Sequence, residues 1–158
     1  MQGNQKQQHK MKTYKTQCPE LRAQLKRDVV YKAQIKSSSD AADFFRQLFD
    51  ESIDIYESFF VIFLNQANNT IGWYRVSQGG ITGTVADVRL VMKKALDVLA
   101  TSMIICHNHP SGQLKPSQAD INLTDKFIEA GKILEIKLID HIILTTESFF
   151  SFADEGKI

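Results

Sequence analysis

Met103-Ile104-Ile105-Cys106-His107-Asn108-His109-Pro110, with Ser117 and Asp120 downstream, is the stretch from which the rest of the chain can be read. Met103 to Cys106 is a short apolar run rich in β-formers, so it reads as a buried strand. Residues two apart on an extended chain point to the same side. His107 and His109, at the end of that strand, can therefore face one ion together. Pro110, Gly112 and Pro116 break both helix and ladder and mark a loop. From Ser117 onward, Ile121, Thr124, Phe127, Ile128 and Gly131 recur at helical spacing, and Gly131 is the expected C-terminal stop. Asp120 falls in the first turn of that helix. A strand end and a helix start that meet across a loop can bring two imidazoles and a carboxylate together.

The pattern is His-x-His, seven residues, Ser, two residues, Asp. Its two imidazoles and one carboxylate are good ligands for a divalent metal, and a hydroxyl stands ready to donate beside them. A catalytic zinc site takes three protein ligands of this kind and keeps a fourth position for water. Such a water ionises near neutral pH and can attack a carbonyl, so the constellation suggests hydrolysis. Plainer readings compete on spacing alone. Ser117 with Asp120 three later is a helix-capping pattern that needs no metal. Isolated His pairs are often surface or satisfied core histidines.

The flanks add a resemblance. His107-Asn108-His109-Pro110-Ser111-Gly112, then Pro116-Ser117 and Asp120, resembles the JAMM motif of MPN/JAB metallopeptidase domains and, more closely, the bacterial RadC family. Glu129-Ala130-Gly131 through Leu138-Ile139-Asp140-His141-Ile142-Ile143 strengthens it, and the likeness covers about Ser37 to the C-terminus. It implies that His107, His109 and Asp120 ligate one Zn²⁺ per chain. It implies that Ser117 assists an oxyanion, and that a glutamate before an early core strand acts as general acid and base. Tyr56-Glu57-Ser58-Phe59-Phe60 supplies that context, so Glu57 is the match, and Glu51 is a weaker one in the polar stretch before it. Without the resemblance, Glu57 reads as a solvated carboxylate at a strand edge. Asp140-His141 has no place in the metal motif, and its expected role is support beside the site. The implied reaction is hydrolysis of an amide or isopeptide bond in a peptide or protein substrate. Zinc nucleobase deaminases are mechanistic neighbours, but their Pro-Cys-x-x-Cys segment is absent here.

The implied fold is a mixed α/β (α+β) MPN/JAB-like domain, a central mixed sheet flanked by helices that resembles the zinc cytidine-deaminase-like architecture. The remaining sequence suits it. Arg27 to Ile35 reads as a first strand. Ser39 or Asp40 then caps a helix whose apolar face is Phe44, Phe45, Leu48 and Phe49. Phe59 to Leu64 is apolar on both faces, as a central strand is. Asn68-Asn69 turns the chain into a partner strand, Ile71 to Ser77. Gly79, Gly80 and Gly83 form a loop with no phosphate-binding lysine after it, so no nucleotide site is expected. Thr84 with Asp87 caps a helix whose buried stripe is Val88, Val91, Met92, Ala95 and Leu99, with Lys93, Lys94 and Asp97 solvated. Ile136 to Thr145 and Phe149 to Phe152 are the last strands.

Composition bounds the rest. With 158 residues, 43% hydrophobic and 23% charged, the chain holds one domain, residues 36–158, behind a polar extension, residues 1–35. The apolar run Phe59 to Leu64 is far too short to span a bilayer, and no signal-peptide pattern opens the chain. Cys18 and Cys106 make no disulfide framework, and Cys106 reads as a small buried hydrophobe. A reducing cytoplasm is the simplest setting. Residues 1–27 carry seven Lys/Arg and one Glu, whereas residues 28–158 carry twelve Lys/Arg and seventeen Asp/Glu. A basic arm on an acidic domain suggests DNA contact. The plainer reading is a Gln/Lys-rich, partly disordered terminus. RadC relatives commonly carry a helix-hairpin-helix region before the metal domain, and the stretch ahead of Ser37 is expected to be too short for one. Two alternatives to the hydrolase therefore stand: a DNA-associated accessory of repair, recombination or mobile elements, and a metal-stabilised interaction module without catalysis. The sequence leaves the oligomeric state open.

Overall fold

The structure, a computed structural model, describes residues 33–49, 53–79 and 85–158. Strand β1, Ser58–Leu64, is buried at every position. Its parity divides two cores, with Phe59, Val61 and Phe63 facing one and Phe60, Ile62 and Leu64 the other. A strand apolar on both faces requires a sheet covered on both sides. The other strands are β2 (Thr70–Gln78), β3 (Ser102–Asn108), β4 (Lys137–Leu144) and β5 (Phe149–Ser151), and their order is β2-β1-β3-β4-β5. Only the β3/β4 pair is parallel; β1/β2, β1/β3 and β4/β5 are antiparallel. The fold is thus the expected mixed sheet with helices on its faces. Asn68, at φ 56°, makes the turn between β1 and β2.

Helix α1, Ser38–Arg46, covers one face through Ala41, Ala42 and Phe45. Helices α2 (Val88–Asp97) and α3 (Gln118–Leu134) cover the other through Val91, Met92, Ala95 and Phe127. Four sequence expectations need correction. The cap of α1 is Ser37, and Asp40 is its capping-box partner three residues in. Asp87 itself caps α2, accepting from Arg89 N, while Thr84 lies outside the described residues. Leu99 is 73% exposed because α2 ends at Asp97 and Leu99 turns out at φ 55°, leaving Ala100 to enter the core. Gly131 does not stop α3, which runs a further turn to a left-handed cap at Glu135 (φ 57°). Glycine stands at 131 because a Cβ there would collide with the Ile136 carbonyl oxygen. Of the expected first strand, 27–35, residues 27–32 and Glu51 of the candidate site lie outside the described residues; the remainder makes one bridge, Gln34 to Asn69.

Two features position the site. A parallel pair needs a crossover, and α3 is the one joining β3 to β4, so the carboxyl end of β3 meets the start of α3. Second, β3/β4 pairing jumps from Met103–Leu138 to Ile104–Asp140 and skips Ile139. That bulge reverses the parity of β4. His141 falls beside Ile105, on the face of His107, where an unbroken register would set it on the opposite side.

Candidate metal centre

His107 ends β3 buried, at 1% exposure, with its ring stacked on Phe59 at 6.0 Å between centroids. His109 follows on the same side, half-buried at the loop. Its Nδ1 donates to the Gln113 carbonyl at 2.6 Å, which turns Nε2 inward. The two Nε2 atoms stand 3.0 Å apart. Asp120 completes the group: Oδ1 lies 3.2 Å from His107 Nε2 and Oδ2 3.7 Å from His109 Nε2. One ligand atom from each of the three residues falls within 4.8 Å of the others. The strand-end and helix-start reading therefore brings together the residues it named.

The capping and metal readings fall on the same two residues through different oxygens of Asp120. Ser117 caps α3, with Asp120 N donating to Ser117 Oγ at 3.1 Å. Ser117 N and Ser117 Oγ both donate to Asp120 Oδ2, each at 2.7 Å. Oδ2 thus closes the capping box while Oδ1 turns to His107. The cap fixes the carboxylate's direction before any ion arrives.

Electrostatics agree. Burial opposes the charge on Asp120, but the neighbouring His107 and His109 imidazoles and the hydrogen bond from Ser117 outweigh it and hold the carboxyl far below its usual range. Hydrogen bonding to Asp120 pushes His109 up against the opposing effect of burial, aided by the Gln113 carbonyl. Two imidazole nitrogens 3.0 Å apart cannot both present lone pairs to each other, so they need either a hydrogen or a metal between them. Two imidazoles and a carboxylate suit a borderline divalent ion, so the donor set fits a metal. Cys106 is not part of it. It faces the α1 core, and burial pushes its thiol up, away from the thiolate a metal needs.

Glu57 precedes β1 and shares with His109, Ser111, Lys115 and Ser117 an open cleft of about 280 Å³. Its placement depends on Asn108, whose role the sequence did not reveal. The buried Asn108 side chain accepts from Ser58 N at 2.7 Å and donates to the carbonyls of Ile53 at 2.6 Å and Tyr56 at 2.8 Å. Between the two histidines, the chain therefore carries a clamp that ties the Glu57 segment to the motif strand. The only signal was a polar residue where strand parity requires burial. A roomier cavity of about 560 Å³, lined by Ile128, Gly131, Leu138 and Ile158, lies at the far end of α3. Donor chemistry, not size, therefore marks the site.

His141 is fully buried. Burial, then the neighbouring His107, pushes its pKa well below the ordinary histidine value. Its Nε2 meets His107 Nδ1 at 2.9 Å and its Nδ1 meets Thr124 Oγ1 at 2.7 Å. It contacts His107 from behind and does not face the space between His107, His109 and Asp120. Thr124, read only as a face residue of the helix, is the partner the sequence did not disclose.

A helix-covered mixed sheet with His-x-His at a strand end and Asp in the next helix's first turn defines a JAB-type domain with a potential metal site. The chain belongs to the RadC-like JAB domain family, whose sequence profile matches residues 35–157. A "UPF0758 protein" of Flavobacterium johnsoniae is 46% identical over 135 residues, 85% of this chain and 58% of that protein. One from Porphyromonas gingivalis is 46% identical over 101 residues, 63% of this chain and 44% of the relative. The Escherichia coli "UPF0758 protein YfjY" is 38% identical over 100 residues, 63% of this chain and 62% of its own length. The chain thus spans about half the length of the curated relatives it matches. Among the described residues, no helix is long and apolar enough to cross a membrane.

Proposed function

We propose that this domain is a zinc-dependent hydrolase of amide or isopeptide bonds, acting on a peptide or an isopeptide-linked protein. The observation that carries the reading is the donor set of His107, His109 and Asp120, gathered within 4.8 Å at the edge of a cleft that also holds Glu57 and Ser117. Bound there, zinc would supply Lewis acidity and a water ionisable near pH 7. Glu57 would take a proton from the attacking water and return it to the leaving amine. The Ser117 hydroxyl, which donates to Asp120 Oδ2 in the resting geometry, needs only to rotate about Cβ–Oγ to meet an oxyanion. The buried free thiol of Cys106 suits a reducing compartment, and we place the protein in the cytoplasm on that ground.

The test begins with metal content, measured on protein purified without added metal beside an Asp120→Ala variant. The expected result is about one zinc per chain, lost in a variant that keeps its circular dichroism spectrum. Isopeptide and peptide substrates are then screened with wild type and Glu57→Gln. The variant should keep its zinc and lose activity by about 10²–10⁴-fold. Failure of the wild type to take up added zinc would overturn the reading and leave Ser117 and Asp120 as a helix cap.

A further inference from the structure

We propose that Thr124 and His141 are positioning residues that fix the tautomer of His107, so that its Nε2 always presents a lone pair to the metal position. This rests on the metal-site reading above and goes beyond it, because neither residue touches the ion's place.

The direction of the hydrogen bonds carries the argument. Thr124 Oγ1 lies 2.7 Å from the backbone carbonyl of Asp120, one helical turn earlier. A carbonyl only accepts, so the single hydroxyl proton of Thr124 goes there. Thr124 Oγ1 also lies 2.7 Å from His141 Nδ1, and with its proton already committed it must accept. His141 Nδ1 therefore carries a hydrogen. Both ring nitrogens of His141 have partners and the ring is fully buried, which disfavours a charge, so the ring holds one proton, and its Nε2 is a lone pair. His107 Nδ1, 2.9 Å from that lone pair, must then be the donor, and in the neutral ring that metal binding requires this uses up the one proton. Its Nε2 is left bare, 3.2 Å from Asp120 Oδ1. The opposite direction would place two acceptors, Thr124 Oγ1 and the Asp120 carbonyl, 2.7 Å apart with no hydrogen between them.

The chain of donors begins at the backbone of one candidate ligand, Asp120, and ends at the side chain of another, His107. In His109 the bond from Nδ1 to the Gln113 carbonyl leaves Nε2 as the nitrogen that faces the same place. Two further features hold the relay. The bulge at Ile139 brings His141 to the His107 face, and Phe152 stacks on the His141 ring at 4.7 Å and 12°. A metal can bind only an unprotonated nitrogen, so a site whose tautomers are set in advance has less to reorganise when the ion arrives.

The experiment measures zinc affinity by competition with a chromophoric chelator. It also reads histidine tautomers from ¹⁵N shifts of the full chain, metal-free and zinc-loaded. Thr124→Val keeps the shape and removes the hydroxyl, so His141 can swap tautomer and donate to His107. We expect zinc affinity to fall about 10–100-fold and the His141 signal to move toward the Nε2–H form. Thr124→Ser should return both readings to wild type. His141→Gln, which keeps an acceptor for His107 Nδ1, should bind zinc more tightly than His141→Leu. Equal affinity and equal tautomers in wild type and Thr124→Val would overturn the proposal while leaving the metal site standing. Should Thr124→Val not fold, equal affinity in the two His141 variants would overturn it instead. A wild type that binds no zinc refutes the metal-site reading itself, a separate outcome.

Discussion

Asp120 serves the helix with one oxygen and the candidate site with the other, and that division was half visible in the sequence. Ser117 and Asp120 at their spacing suggested either a cap or a metal-site role, and the structure closes the cap while leaving one Asp120 oxygen turned to His107. What no local reading could supply was Asn108, whose partners lie 50–55 residues earlier. Protonation belongs at this scale too. Hydrogen bonding to Asp120, and then to the Gln113 carbonyl, lifts His109 above its ordinary value of 6.5. A raised folded pKa means that the folded state holds the proton more tightly than the unfolded chain does. The stabilisation is complete below about pH 6.5 and fades as pH rises through the raised value. Asp120, held far below its range, stays charged throughout that window and adds no slope there. Metal-free protein melted in chelator should therefore lose thermal stability as pH climbs from 6.5, and His109→Gln should flatten the profile. Zinc should bind more tightly over the same climb, because the ion displaces that proton. Equal melting slopes in wild type and variant would remove His109 as the cause.

Elements were legible where periodicity was strong. Phe59 to Leu64 and Met103 to Cys106 announced buried strands, and the helix after Ser117 announced its start. Helix ends were harder, because they depend on what approaches from elsewhere. Gly131 looks like a stop by composition, yet its small size answers the Ile136 backbone beside it. Alanine at an ordinary helical glycine gains about 1 kcal/mol of propensity. At 131 the colliding atom is backbone and cannot swing away, so Gly131→Ala should instead cost about 1–3 kcal/mol, read as a lower urea midpoint. A gain in stability would show that β4 yields to the methyl group. The clamp between strand end and preceding loop gives a different signature. Asn108→Ala strips partners from the buried Ser58 N–H and two carbonyls, for a loss of about 1–3 kcal/mol. It should lower hydrolysis through Glu57 while zinc content stays near wild type, since the variant touches no ligand atom. Lost zinc in a folded Asn108→Ala protein would mean that the clamp supports the histidines directly.

On the scale of the whole molecule, the sequence disclosed a helix-covered sheet and the β1/β2 partnership, but not the rest of the pairing. The placing of β3 between β1 and β4, and the one-residue bulge that turns His141 inward, depend on contacts between residues more than 30 apart. The same long-range geometry decides how an ion would act on the fold. His107 and His109 belong to the end of β3, Asp120 to the start of α3, and the loop between them carries Pro110, Gly112 and Pro116. An ion held by all three would join strand to helix across that loop and bind the folded state alone. With free zinc at 100 times its dissociation constant, linkage gives about 2.7 kcal/mol of added stability. For a domain of this size that corresponds to a rise of about 5–10 °C in Tm. The wild type should show this rise on titration with zinc in scanning calorimetry, and the rise should keep growing with the logarithm of zinc concentration. Asp120→Ala and His109→Ala should show no rise of that size, because two remaining ligands bind zinc far more weakly than three. A rise of wild-type size in both variants would place the zinc elsewhere on the protein and separate the fold's stability from the His107, His109 and Asp120 group.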